Sequence, residues 1–231
     1  MNKELSNLYH SKWQTLKTAT KSILDDKSLE IKPANPLLIH IDDEEKYKNA
    51  NIRLMIFGQE TNSWYDDGDG EIEAIQKKYD TFFNEGKCWS YGGAFWNGVN
   101  RFLKHLHEKY PNKEIHLTWN NIVKIGKEDE KGFPPDYIYE IEREHFNVIS
   151  DELEILKPNL ALFFTGPNYD GAIQDNFGKI QSMKLPDFTE RQISKLKIPG
   201  IQSAYRTYHP NYLWRNGIEK YFKTILKDLP F

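Results

Sequence analysis

Four short apolar runs are spaced along the chain, and each is followed by glycine or by polar residues. They read IRLMIF at 52–57, EIHLTW at 114–119, NLALFF at 159–164 and GIQSAYR at 200–206. Continuous apolar runs of this length, bounded by turn residues, are typical of strands that are buried on both faces of a sheet. The pattern therefore predicts four strands, of which IRLMIF and NLALFF are buried on both faces.

Helical spacing of apolar residues occurs on either side of these runs. An amphipathic helix is predicted over 3–25. Pro33 and Pro36 then indicate an extended connection, because proline lacks a backbone donor and disfavours helix in its predecessor. Residues 178–199 are polar and irregular and predict no element. The remaining helical patterns lie near 71–85, 93–109, 136–157, 169–177 and 212–229.

The alternation of strands and helices sets the expected fold class. Helical segments that are long enough to cross over predict parallel pairing, with helices on both faces of the sheet. We expect one α/β domain over 1–231, a three-layer α/β/α sandwich with a central, mostly parallel four-stranded sheet. Residues 1–50 would form a helical extension packed on this domain.

Polar side chains follow each predicted strand, where α/β sheets bind ligands. The strand ends read GQETNSW, WNNIVK, TGPNYD and RTYHPNYL. Glu60, Asn121 and His209 would meet there, although they are far apart along the chain. A carboxylate, an amide and an imidazole in one cleft can stabilise a cation, read a hydrogen-bond pattern and stabilise a leaving anion. Each residue singly also fits an ordinary loop, turn or packing role.

Composition is compatible with a packed domain outside a membrane. Of the 231 residues, 39% are hydrophobic, which is enough to build a core. The first residues lack a basic head followed by an apolar run, and no stretch approaches the roughly 18 apolar residues that span a bilayer. We expect a cytoplasmic protein and favour a monomer. The single cysteine, Cys88, excludes an internal disulfide and any four-cysteine metal site.

Charge is distributed unevenly along the chain. The net charge is −3, which argues against a uniformly basic coat for nucleic acid. Residues 42–73 are rich in acidic side chains, whereas the chain from Arg191 onward has eight basic and two acidic residues. Solvated helix faces explain either run. The stretch YDDGDGE lacks the ligand spacing of a calcium loop.

The motifs at the strand ends, taken in order, resemble those of the uracil-DNA glycosylase superfamily. FGQE is similar to its first motif, a strand that ends in Gly-Gln-Asp-Pro-Tyr in the best-known branch, with Glu60 in place of the acid. TWNNIVKI is similar to its asparagine-bearing strand end, which places Asn121 rather than Asn120 at the base-reading position. The resemblance covers the chain from about residue 52 to the C-terminus.

The last motif, TYHPNYL, is similar to the superfamily's His-Pro-Ser-Pro-Leu sequence through His209, Pro210 and Leu213. ALFFTG fits the strand between the motifs, which ends in glycine. The resemblance implies a metal-independent N-glycosidic hydrolase without a cofactor, which acts on a flipped uracil-type base in DNA. Its partner would be DNA that contains uracil or another modified base, or a free nucleobase or nucleotide.

The resemblance also implies roles for individual residues. Glu60 would stabilise the cationic sugar and orient a water, and the backbone around Gln59 would contact the base. Asn121 would read the base edge, His209 would hydrogen-bond the developing anion, and Leu213 would fill the gap left in the duplex. The candidates to stack on the base are Trp89 and Tyr91, with Phe95 behind them, and core packing explains these rings equally well. The side chains placed to contact phosphates are Arg206, Arg215 and Lys220.

The chain departs from the superfamily pattern at several positions. Glu60 is one methylene longer than the usual aspartate, and Thr61-Asn62 replaces the Pro-Tyr whose tyrosine excludes thymine. Trp64 or Tyr65 is a candidate to fill that space. These departures leave two alternatives open. One is a degenerate member that binds a base, nucleotide or nucleic acid without turnover, and the other is a hydrolase of free nucleosides or modified nucleotides.

Overall fold

A six-stranded mixed sheet forms the centre of the protein in the computed structural model, which describes residues 1–64 and 70–231. The strand order is β2-β1-β3-β6-β5-β4. Strands β2, β1, β3 and β6 pair in parallel, whereas β5 and β4 are antiparallel additions. The strands are β1 Ile52–Asn62, β2 Ile115–Lys127, β3 Leu160–Phe163, β4 Gln181–Lys184, β5 Ile193–Lys197 and β6 Ser203–Thr207.

The expected α/β class is confirmed, but the sheet has six strands instead of four. The additional strands β4 and β5 come from residues 178–199, for which the sequence predicts no element. All four residues of β4 are exposed, so this edge strand carries no apolar run. Tyr65 and most of the YDDGDGE stretch lie outside the described residues.

The described residues form ten α-helices. A π-helical turn, Asp80–Asn84, continues α3, and a 3-10 turn, Pro167–Tyr169, precedes α8. None of these helices is long and apolar enough to cross a membrane. The helices are α1 Asn2–Asp25, α2 Glu44–Asn49, α3 Ile72–Tyr79, α4 Lys87–Tyr91, α5 Gly93–Lys109, α6 Asp136–His145, α7 Ile149–Leu156, α8 Asp170–Phe177, α9 Pro210–Arg215 and α10 Ile218–Asp228.

Two helices that the sequence predicts as continuous are each broken in the structure. The pattern over 136–157 forms α6 and α7, and the break places Phe146 in the core, where its ring lies 6.2 Å from Tyr9 and 6.0 Å from Trp13 of α1. The last helical pattern forms α9 and α10, separated at Gly217, whose φ is 80°. This left-handed conformation is open to glycine and ends the helical path.

Aromatic contacts show that helices cover both faces of the sheet. Phe57 and Phe163 stack on one face, with ring centroids 4.3 Å apart, and Phe163 contacts Phe177 of α8. Phe164, next in the chain, contacts Phe222 of α10 on the other face. Helices α1, α6, α7 and α8 pack together on the first side, and α5, α9 and α10 pack together on the second.

The N-terminal segment covers the outer edge of β2. The Ala34 amide donates to the Gly126 carbonyl at 3.0 Å, and the Leu37 amide donates to the Lys124 carbonyl at 3.1 Å. Pro33 forms an antiparallel bridge with Lys127 in the same region. The segment therefore acts as a partial additional strand beside β2.

Candidate functional site

The parallel register brings the predicted motifs to one edge of the sheet. Gly58 is aligned with Asn121 across β1 and β2, and Phe163 is aligned with Arg206 across β3 and β6. Glu60 lies near the end of β1, and His209 follows β6 by two residues. The strand-end residues therefore share the C-terminal edge, where α/β sheets bind ligands.

Asn121 packs directly against the backbone of β1 at Gly58. A Cβ atom at Gly58 would lie 2.4 Å from the side-chain oxygen of Asn121, so only glycine allows this approach. The Asn121 Nδ2 donates to Thr61 Oγ1 at 3.2 Å, and the side chain is buried. Its Oδ1 accepts no hydrogen bond from the residues that the structure describes. This oxygen is therefore an open acceptor at the strand-end edge.

The adjacent asparagine serves a different purpose. The Asn120 Nδ2 donates to Glu152 Oε2 at 2.8 Å, and its Oδ1 accepts from the ammonium of Lys124 at 2.8 Å. The same Oδ1 accepts from the backbone N–H of Asn121 at 2.9 Å. Asn120 is thus fixed within the core, and Asn121 is the residue beside Gly58.

A single ring, Phe95 of α5, connects Asn121 to His209. Its Cζ would lie 3.4 Å from a Cβ at Gly58, which places the ring beside Asn121. The Phe95 ring stacks on the imidazole of His209, with centroids 5.6 Å apart and planes inclined by 25°. Phe95 therefore lies closer to Asn121 and His209 than its place behind Trp89 and Tyr91 in the sequence prediction suggested.

His209 is held as a neutral donor at the start of α9. Its Nδ1 accepts a hydrogen bond from the backbone N–H of Asn211 at 3.1 Å, so the ring proton of the neutral form lies on Nε2. Burial lowers the pKa of His209 to about 4, which keeps the ring neutral near pH 7. Nε2 has no hydrogen-bond partner among the described residues. It is available to donate to a ligand.

Glu60 is held by two hydrogen bonds from neighbouring segments. Its Oε1 accepts from the backbone N–H of Gly132 at 2.8 Å, and its Oε2 accepts from the hydroxyl of Tyr169. Burial and the Glu60 carboxylate raise the pKa of Tyr169, so this hydroxyl stays protonated as a donor. The carboxylate is half-buried and held in place. Gln59 instead points its amide at the Thr165 carbonyl, 2.8 Å away, and connects β1 to the segment after β3.

Trp89 and Tyr91 lie on α4, on the outer side of this cluster. Their side chains are 41% and 73% exposed, and their recorded ring contacts are with Trp96 and Phe82. No contact of either ring with Asn121 or His209 is present among the described residues. Of the three aromatic residues named from the sequence as stacking candidates, Phe95 is the one whose ring contacts His209.

The expected DNA contacts of Leu213 and Arg206 do not fit the structure. The Leu213 side chain lies on the buried side of α9, so it cannot enter a duplex without leaving the core. The guanidinium of Arg206 is buried and forms a bidentate pair with Asp170, at 2.8 and 2.9 Å, so it is not open to phosphate. Arg215 and Lys220 are exposed and remain candidates.

Residues beyond the predicted set complete the site. Gly58 and Thr61 position Asn121, whereas Gly132 and Tyr169 position Glu60. Gly58 carried a sequence signal, since a glycine that ends a buried strand often marks a close approach. Tyr169 carried none, because its contact joins segments 109 residues apart.

The described residues also bear on two other types of site, a metal site and a reactive thiol. The described residues contain no group of three or more histidine, cysteine or acidic side chains that could hold a metal ion. Cys88 is buried, and burial raises its pKa to about 11, so the thiol is a poor nucleophile. No model of a known protein family matches the chain, and no curated protein matches it.

Proposed function

We propose that the chain is a metal-independent N-glycosidic hydrolase that acts on a flipped, uracil-type base in DNA. One observation carries the proposal. Asn121 and a neutral His209 both lie close to Phe95 at the C-terminal edge of the sheet. An amide, an aromatic ring and a neutral imidazole donor are the groups that recognition and release of a pyrimidine require.

Recognition of the base follows from the groups around Phe95. The ring offers a face on which a flipped base can stack. The Asn121 side chain offers an acceptor and a donor, which match the adjacent N–H and C=O of a uracil edge. The close contact with Gly58 prevents the amide from turning away. The site is therefore suited to a pyrimidine that carries an imide.

Release of the base places charge on two groups. The bond between C1′ and the ring nitrogen breaks, and its electron pair leaves with the base, which becomes an anion. The Nε2–H of His209 donates to a carbonyl oxygen of this anion. The fixed carboxylate of Glu60 stabilises the sugar cation and orients a water. The water oxygen bonds to C1′, and its proton neutralises the departed base.

A second candidate function is binding without turnover. Both carboxylate oxygens of Glu60 already accept hydrogen bonds, and glutamate is longer than the aspartate of the best-known relatives of this motif. A displacement of about 1 Å in a reacting group can cost roughly a hundredfold in rate. A site with these features would retain the base pocket and lose the chemistry.

Excision from labelled oligonucleotides tests both candidates. A strand with one uracil is compared with the thymine strand of the same sequence, single-stranded and in duplex, and abasic sites are cleaved with alkali. We expect uracil-dependent cleavage by the wild type and its loss in Asn121→Ala and His209→Asn. Asparagine is a favourable helix N-cap, so His209→Asn removes the imidazole and its Nε2–H while α9 keeps a cap.

The outcomes separate the two functions. Cleavage that is equal in the wild type and in both variants would contradict the proposed hydrolase. Saturable binding of the uracil strand without cleavage would support the second candidate. Lys184→Gln, an exposed substitution on the edge strand β4, is the control for handling and purity.

A further inference from the structure

Exposed aromatic side chains are concentrated on α4 and α9. Six large hydrophobic side chains are exposed among the described residues, and four of them belong to these two short helices. Aromatic rings that remain exposed on adjoining elements are suited to stacking on planar partners. The four are Trp89, Tyr91, Tyr212 and Trp214, with exposures of 41%, 73%, 37% and 44%.

A groove lies beside one of these rings. It has a volume of about 560 Å³ and lies along the N-terminal half of α5, with Trp214 as its wall on the α9 side. The Trp214 indole N–H donates to the Ala94 carbonyl at 3.2 Å, which fixes the ring. A volume of this size falls within the range of ligand pockets. The groove is lined by Ala94, Asn97, Asn100, Arg101, Lys104 and Trp214.

Exposed basic side chains lie in the groove and on α9 and α10, although the whole chain is acidic. The acidic residues of α10 are engaged, because Glu219 pairs with Arg101 and His105, and Asp228 pairs with Lys195. Lys104 is exposed and forms no ion pair with a described residue. The unpaired basic residues of α9 and α10 add to this charge: Arg215, Lys220, Lys223 and Lys227.

The groove and the site at His209 are joined by helix α9. Helix α9 begins at His209 and carries Trp214 one turn further on. A Cβ at Gly98 of α5 would lie 2.5 Å from the Pro210 side chain, so the two helices are in close contact. A strand that lies in the groove would therefore pass the base-binding site.

We propose that this surface, the groove lined by Trp214 and Lys104, binds a single strand of DNA. Stacking on aromatic rings and attraction of phosphates to basic side chains are the two interactions that hold single strands. Because Leu213 is buried, α9 has no leucine to fill the gap that a flipped base leaves in a duplex. The inference rests on the proposed function for the choice of DNA, and it adds a preference for unpaired strands.

Binding of a uracil-free strand tests this surface separately from the chemistry. Fluorescence anisotropy with a labelled oligothymidylate about 15 nucleotides long compares the wild type with Trp214→Ala and Trp214→Phe. Both variants lose the bond to Ala94, but phenylalanine keeps a stacking face. We expect roughly tenfold weaker binding for Trp214→Ala and a change of about threefold or less for Trp214→Phe.

The salt dependence provides a second, independent readout. Lys104→Gln should reduce the slope of log K against log salt by about 0.7, the value for one phosphate contact of a single strand. The matched control, Lys184→Gln on β4, should leave the slope unchanged. If Trp214→Ala proves unfolded by circular dichroism, the slope of Lys104→Gln decides the question.

Three results would overturn the inference. The first is that neither Trp214→Ala nor Lys104→Gln changes the binding of oligothymidylate. The second is that a duplex binds as tightly as the single strand. The third is that an oligouridylate binds more tightly than the oligothymidylate. Failure of the proposed function looks different, because oligothymidylate would still bind through the groove while uracil strands stay uncleaved.

Discussion

The ammonium of Lys124 lies 2.6 Å from Oε1 of Glu152, and neither side chain is exposed to solvent. The Tyr9 hydroxyl donates to the same carboxylate oxygen at 2.7 Å, and Asn120 bridges the pair. Since Asn120 also accepts the backbone N–H of Asn121, this buried network supports the strand end that carries the candidate base reader.

Breaking the pair should destabilise the fold strongly. Lys124→Met leaves Glu152 as a buried, unpaired carboxylate, and we expect a loss of about 3–5 kcal/mol in the free energy of unfolding. The double variant Lys124→Met/Glu152→Gln should lose less than the sum of the single changes, because it buries no lone charge. Urea unfolding measures the free energy of unfolding of Lys124→Met, Glu152→Gln and the double variant.

The control for this prediction is Lys48→Met, which breaks an exposed ion pair with Glu45. Exposed pairs contribute about 1 kcal/mol or less. A loss for Lys124→Met no larger than that of Lys48→Met would contradict the role assigned to the buried pair.

Gly58→Ala should displace Asn121. The new methyl group would lie 2.4 Å from the Asn121 oxygen, so the amide must move. We expect a loss of roughly 1–3 kcal/mol in stability from overpacking, and uracil excision reduced as far as in Asn121→Ala. Gly171→Ala in α8, where an added Cβ meets no atom within 4 Å, is the control; it should leave excision unchanged and should not lower stability, since alanine favours a helix over glycine. Normal excision by Gly58→Ala would show that the amide position does not matter.

His209 should titrate far below the ordinary range for histidine. Its pKa of about 4 is lower than the unfolded value of 6.5, so its contribution to stability is complete above pH 6.5 and is lost as the pH falls toward 4. The proton NMR shift of the ring measures the midpoint, and His209→Asn assigns the signal. A midpoint near 6.5 would show that burial does not lower the pKa of the ring and would contradict the buried neutral donor proposed here.

Glu142 should make the protein less stable as the pH rises. Burial raises its pKa from 4.5 to about 7, although its carboxylate accepts the backbone N–H groups of Lys124 and Ile125 at 2.9 and 2.8 Å. The folded state therefore binds more protons than the unfolded chain between pH 4.5 and 7, and the unfolding free energy falls through that window by about 3 kcal/mol.

The measurement for Glu142 compares urea unfolding at pH 5 and pH 8 in the wild type and in Glu142→Gln. Glutamine does not titrate, so its own contribution to stability is the same at both pH values. The difference between the two pH values should therefore shrink in the variant. An equal difference in both proteins would assign the pH dependence to other groups.

Tyr169→Phe should affect the chemistry more than binding. The change removes the hydroxyl that donates to Glu60 and leaves the Gly132 N–H in place. A hydrogen bond to a charged group contributes about 1.5–3 kcal/mol, so we expect excision to slow roughly tenfold to a hundredfold with little change in affinity for the strand. Tyr137→Phe, which removes a hydroxyl bonded to the Ile31 carbonyl, is the matched control. Equal rates in both variants would exclude a positioning role for Tyr169.

The four parallel strands could be predicted because β1 and β3 contain short apolar runs and all four segments are bounded by turn or polar residues. The hairpin of β4 and β5 has no such signal, since β4 is wholly exposed. The sequence pattern does not indicate the helix break near Phe146, because the residue is apolar and fits the helical period. Its inward position depends on Tyr9 and Trp13, which lie far away along the chain.

The candidate site shows the same division. Glu60, Asn121 and His209 could be placed at one edge because parallel strands end together. The burial of Leu213 and the ion pair of Arg206 could not be predicted from the sequence. Leu213 is buried by the way α9 packs on α5, and Arg206 is neutralised by Asp170, a partner 36 residues away. The residues next to Leu213 and Arg206 in the sequence do not indicate either contact.

The extended segment beside β2 also bears on association between copies of the chain. Its hydrogen bonds to Gly126 and Lys124 occupy backbone groups that would otherwise face solvent as an open strand. Open strands of this kind recruit strands from other molecules and seed aggregation. At the opposite edge, β4 is only four residues long and ends in Lys184, a combination that discourages such pairing. One edge is therefore sealed by the chain itself and the other is kept short and charged, which favours pairing within a single molecule.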